Sequence, residues 1–145
     1  MIKKSQSGFS LIELLLVFVI IGIISVLAVP SLLRAKRNTE NEAAYASMRT
    51  ILSSQVSFFT TNGRYARLSE LNTGKYGIIG DTTSPNTVKR GVFVLDMNPA
   101  DPTDAQLKSG FHITATKIAD GSGVPYAIDI DERGHLIEPY GSRRQ

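Results

Sequence analysis

The chain has 145 residues, 42% of them hydrophobic, with no cysteine and a formal net charge of +3. That length fits one modest domain with an appendage better than two domains, and the lack of cysteine excludes a disulfide-stapled fold and a thiolate metal site. No long basic block is present, so charge gives little support to nucleic-acid binding.

The hydrophobic residues are unevenly distributed. Eight polar and basic residues, MIKKSQSG, precede FSLIELLLVFVIIGIISVLAV, a run of 21 residues from Phe9 to Val29 whose single charge is Glu13. As a helix it reaches about 31 Å, close to the roughly 30 Å of a bilayer's hydrocarbon layer, and a helix satisfies its own backbone there. A secretory signal peptide, a plain anchor and a buried core helix compete for this pattern. Val26-Leu27-Ala28 has the small-residue spacing that a signal peptidase accepts, and Lys3 and Lys4 form a basic flank. Glu13 argues against that reading, since an acid at a helix centre costs about 2.5–3.5 kcal/mol on insertion and somewhat less near an interface. The helical pattern also continues past Ala28 to Phe59.

KKSQSG followed by FSLIE resembles the prepilin processing motif of type IV pilins and the related pseudopilins. The resemblance is specific over residues 3 to about 60. It implies that Gly8 precedes the cut made by prepilin peptidase, that Phe9 is the new N-terminus and is N-methylated, and that Glu13 serves filament assembly. In this family the freed amine of Phe9 is expected to neutralise the Glu13 of a neighbouring subunit, in keeping with the need of a carboxylate in an apolar place for a cation. Glu13 is about one turn from its own Phe9, so a contact within one subunit is also open. Basic residues flank the run on both sides, Lys3 and Lys4 before it and Arg34, Lys36 and Arg37 after it, so orientation follows from the resemblance and not from charge. Loss of Lys3 and Lys4 with the leader takes the 16 basic residues to 14, against 13 acidic.

Gly22 and Pro30 fall where such pilins carry helix-weakening residues. Pro30 lacks an N–H and its ring clashes with the carbonyl four residues back, so it should kink or break the helix. Two readings stand: a boundary between membrane segment and soluble helix, or a stretch from 22 to 30 that melts in the polymer and lets it stretch.

Beyond Pro30, Ala44, Met48, Ile51, Leu52, Val56 and Phe59 recur at helical spacing and predict an apolar stripe for a head to pack on. Asn62-Gly63 supplies a left-handed stop, which ends the helix near Thr61. From Phe9 this helix approaches about 80 Å, a filament spine more than a globular element. A head of about 84 residues is marginal in stability unless it packs on that helix.

Residues 62–90, rich in Gly, Thr, Asn and Ser, read as a connecting loop with one short turn in RYARLSEL. Such loops contact neighbouring subunits in pilins; a merely solvated loop is the other reading. GVFVLDM, FHITATKI, VPYAIDI and HLIEPY then read as strands, separated by Asn98-Pro99-Ala100-Asp101-Pro102, Asp120-Gly121-Ser122-Gly123 and Asp131-Glu132-Arg133-Gly134. The expected fold is α+β: a long N-terminal α-helix, transmembrane in its N-terminal half, packed on a small antiparallel β-sheet of three to four strands, which the resemblance casts as the pilin lollipop. The segments are a leader (1–8), a transmembrane and filament-core half (9–29), an amphipathic half (30–61) and a globular head (62–145), with loop 62–90 and sheet 91–145.

Asp129, Asp131 and Gly134 invite a calcium reading, because related major pseudopilins bind calcium in the head. The spacing fails for an EF-hand loop, with Arg133 at the fifth place and Tyr140 where the bidentate acid belongs. A hairpin turn explains the residues better. His112 and His135 have no cysteine or second histidine nearby in sequence, and no nucleophile motif or phosphate loop occurs, so no metal, no cofactor and no catalytic residue are assigned. The protein reads as a substrate of enzymes.

The expected function is that of a structural subunit of a type IV pilus, for adhesion, motility or related tasks. A pseudopilin of type II secretion is the alternative. A DNA-uptake or minor pilin, resting on Lys89-Arg90 and Ser142-Arg143-Arg144-Gln145, is the third reading, and nucleic acid is an unlikely partner on so few charges. The partners expected are identical subunits, prepilin peptidase, the assembly machinery of the inner membrane, and the membrane itself before assembly. The precursor belongs in the bacterial inner membrane, and the product in an extracellular pilus or a periplasmic pseudopilus.

Overall fold

A computed structural model describes residues 9–77, 79–117 and 126–140. The leader with Gly8, the Asp120-Gly121-Ser122-Gly123 turn and the Ser142–Gln145 tail lie outside the described residues. The chain divides into two compact units, one ending at Thr39 and one beginning at Glu40.

Helix α1 spans Leu11–Asn62, 52 residues, and carries Pro30 within it. Pro30 therefore does not end the helix. Its missing N–H deprives one carbonyl, that of Val26, and the turns on either side carry the helix through. At the far end Gly63 adopts φ 68° and donates its N–H to the carbonyl of Phe59 at 2.8 Å, a left-handed termination that a side chain would disfavour.

In the second unit a stripe of α1 faces the sheet. Ala44, Met48, Ile51, Gln55 and Phe58 are buried, at spacings of four and three that keep them on one narrow face. The stripe expected from sequence is corrected at its C-terminal end: Val56 is 50% exposed, and Phe58, not Phe59, is buried. Val56 is five residues beyond Ile51, some 140° around the helix, whereas the polar Gln55 holds the place that geometry reserves for the core.

The sheet is a six-stranded antiparallel meander, β1-β2-β3-β4-β5-β6. The four strands read from the sequence are β3 (Phe93–Met97), β4 (His112–Lys117), β5 (Ala127–Asp131) and β6 (Leu136–Tyr140). Two more, β1 (Asp81–Ser84) and β2 (Thr87–Arg90), extend the sheet into the stretch read as a loop. Their sequence signal is weak because β1 is exposed at every position and β2 buries only Val88, so neither shows the apolar alternation that marks β3 and β4. Phe93, Leu95 and Met97 on β3 alternate inward with Ile113 and Ala115 on β4 and Ile128 and Ile130 on β5. Full burial of each large side chain contributes about 1.5–3 kcal/mol, and these residues form one core with Met48, Ile51 and Phe58 of α1.

Two short helices complete the head, α2 (Leu68–Leu71) and α3 (Asp104–Ser109). The second opens on a capping box, in which the Thr103 hydroxyl accepts the N–H of Gln106 while the Gln106 side chain accepts the N–H of Thr103.

Candidate functional site

Every residue from Phe9 to Lys36 is exposed. The segment presents a largely apolar surface through Leu33, and α1 is the one helix among the described residues long and apolar enough to cross a membrane. An apolar surface of this extent calls for lipid or for other apolar surfaces around it.

Glu13 sits in the first turn of α1 and its Oε2 accepts the backbone N–H of Ser10 at 2.9 Å. Ser10-Leu11-Ile12-Glu13 thus has the S-x-x-E spacing of a capping box, and the acid satisfies one of the orphan donors of the helix start. A carboxylate is also favoured there by the positive end of the helix dipole. The S-x-x-E spacing is the sequence sign of this capping role. Phe9 precedes the turn and is 82% exposed.

Three features weaken α1 within one short stretch. Gly22 has open space where a Cβ would stand, so packing within the subunit does not require glycine. Ser25 donates its hydroxyl to the carbonyl of Ile21 at 2.7 Å, a back-bond that competes with the helix ladder. Pro30 removes a donor. Relative to alanine, the glycine and proline together cost about 4 kcal/mol of helix stability.

The head holds a cleft of about 360 Å³ between α1 at Glu40–Ser47 and the turn from β2 to β3. Glu40 on its edge is paired with Lys117 at 3.0 Å, a largely buried bridge with side chains 20% and 5% exposed. Elsewhere, Arg64 makes a forked bond to Glu70 at 2.6 and 2.8 Å, and Arg67 reaches Asp104 at 2.9 Å. The hydrogen bond from Arg64 holds the Glu70 carboxyl below the usual carboxylate range, against the pull of partial burial and with help from the N–H of Arg67.

Of the two acids in the calcium reading, Asp129 keeps its Oδ1 buried without a hydrogen-bond partner among the described residues, whereas Asp131 shapes a turn. Asp131 Oδ1 accepts the N–H groups of Arg133 at 3.0 Å and His135 at 2.9 Å, which closes the β5–β6 turn. Partial burial acts to raise this carboxyl, but the N–H of His135, its charge and the same two contributions from Arg133 outweigh it and hold the group low. No cluster of three metal-ligating side chains occurs among the described residues. Lys89 and Arg90 lie exposed at the end of β2.

Residues 3–29 match the family described as the prokaryotic N-terminal methylation motif. The type IV major pilin protein PilA of Myxococcus xanthus is 34% identical over 59 residues, 41% of this chain and 27% of that protein. The match thus spans little more than a quarter of that pilin's length. The type II secretion system core protein G of Aeromonas hydrophila is 28% identical over 103 residues, 69% of this chain and 69% of that protein. No solved structure gives a match of comparable significance.

Proposed function

We propose that this chain, whose N-terminus matches the prokaryotic N-terminal methylation motif and which is similar to a type IV pilin and a type II secretion core protein, is the structural subunit of a type IV pilus, cut by prepilin peptidase between Gly8 and Phe9, N-methylated on Phe9 and polymerised through α1 into a surface filament. The observation that carries this reading is the exposed apolar surface from Phe9 to Leu33 with Glu13 as its lone acid. In the precursor, lipid covers that surface. In the polymer, identical helices replace the lipid, and the freed Phe9 amine of one subunit meets the Glu13 of the next, which lowers the cost of an acid among apolar neighbours.

Cleavage is what makes the pairing possible, because Phe9 offers only a peptide N–H while the leader is attached. The subunit has no catalytic part in this scheme; peptidase and assembly machinery act on it. Gly22 and Pro30 serve as the place where the packed helix yields when the filament is stretched.

A second reading, a pseudopilin of type II secretion, is favoured by one observation: the resemblance to core protein G extends through 103 residues and so beyond the N-terminal motif. Both readings share the same assembly chemistry and differ in where the polymer ends up.

Glu13→Gln tests that chemistry. Glutamine keeps an acceptor for the Ser10 N–H and removes the charge, so membrane insertion should persist while filament yield collapses. Filaments in normal amount from this variant would remove the charge-pairing role.

A further inference from the structure

Two features of the head lack a counterpart within it. The first is the cleft beside α1, floored by Ala43, Ala44, Val92 and Phe93, with Arg90 on its rim. Arg90 is exposed, donates to the carbonyl of Ile79 at 3.4 Å, and has no carboxylate within ion-pairing distance among the described residues. The second is the loop after β3. Asn98, Pro99, Ala100 and Asp101 are all exposed. The loop is nevertheless held in shape from beneath, where the buried Asn86 donates to the carbonyl of Ala100 at 2.9 Å. Asp101 receives one long bond from the same amide, at 3.5 Å, and no cation pairs with it among the described residues.

Arg90 and Asp101 stand beyond opposite ends of β3, a strand about 14 Å from first to last residue. They cannot meet within one subunit. A small apolar tip flanked by an unmatched acid at one end, and an apolar cleft flanked by an unmatched base at the other, are complementary in shape class and in charge. Because the loop is already shaped, its docking would lose little conformational freedom.

We propose that the Pro99-Ala100 tip of one copy of this chain sits in the cleft of the next, with Asp101 paired to Arg90 across the contact. Such a contact joins two different surfaces, so it propagates from copy to copy instead of closing a dimer. It rests on the filament reading and adds to it a head-to-head contact independent of the N-terminal helices.

The chain has no cysteine, so Ala43→Cys and Ala100→Cys introduced together are its only thiols. Oxidised filaments of this double variant should run as a ladder of cross-linked multimers, and either single variant should give at most dimers. Arg90→Glu should lower filament yield about tenfold or more through like-charge repulsion with Asp101, and adding Asp101→Arg should restore it, which separates lost pairing from lost folding. Normal filaments without a ladder, or no recovery in the reversed pair, would overturn the proposed contact while leaving the filament reading intact. Absence of filaments from the unaltered chain would overturn both.

Discussion

The side-chain amide of Gln55, fully buried in the helix–sheet core, grips the backbone of Ala66 at both of its polar groups: Nε2 donates to the Ala66 carbonyl at 2.9 Å and Oε1 accepts the Ala66 N–H at 2.8 Å. The pair fixes how the chain leaves α1 and turns into the head. Gln55→Leu would strand both backbone groups in an apolar site, where each unsatisfied group costs about 1–3 kcal/mol. We expect the head to lose about 2–4 kcal/mol, read by urea unfolding of the detergent-solubilised chain through tyrosine fluorescence. Val56→Ala, on the exposed side of the same helix, should stay within about 0.5 kcal/mol of the unaltered chain.

Acid should weaken the head through Glu70. Its folded-state carboxyl is held below the ordinary value of 4.5 by Arg64, so the stabilisation is complete above the unfolded value and is lost as pH falls through the lower folded one. Asp131 is lowered likewise and adds to the loss in the same acidic window. Stability should therefore be level from neutral pH to about 5 and fall below about 4. Glu70→Gln should be less stable at neutral pH and show a shallower acid fall, and an equally steep fall in both proteins would assign the acid response elsewhere.

Pro30→Ala should strengthen α1 where Gly22, Ser25 and Pro30 weaken it, by up to about 3 kcal/mol. Amide hydrogen exchange across residues 22–29 in assembled filaments should slow accordingly. Filaments of the variant should also stretch less under load before they break. Unchanged exchange in that stretch would leave Pro30 as a boundary mark without a mechanical role.

Gly8→Leu should block processing. A glycine before the scissile bond leaves no side chain in the way of a protease working at the membrane face, and leucine restores the obstruction. The uncut and cut chains differ by the mass of residues 1–8, so mass spectrometry of membrane material separates them. A fully trimmed variant would contradict the assignment of the cut.

The parts legible in the sequence were those with strong periodicity. The apolar run from Phe9 to Val29, with Glu13 its single charge, and the alternation in FHITATKI marked α1 and β4 because burial on one face, or exposure to one apolar medium, dictates such patterns. The rest was written in weaker signs. Thr103-Asp104-Ala105-Gln106 is a capping box and Ser10-Leu11-Ile12-Glu13 has the same spacing with one of its two bonds formed, yet the first has the look of a loop after a proline-rich break and the second of a membrane segment carrying a stray acid. The β1–β2 hairpin turns on Pro85-Asn86 but lies at the sheet edge, where exposure removes the apolar half of the strand pattern. Gln55 was hidden for the opposite reason: it is polar in sequence and buried in the fold, with its partner Ala66 eleven residues away.

Electron microscopy of sheared surface material, joined to mass spectrometry of its main protein band, tests the filament reading most directly. Long fibres built of this chain, beginning at a methylated Phe9, are the expected result. Surface material lacking the chain, with a product that begins at Val29 and has shed the apolar helix, would contradict it.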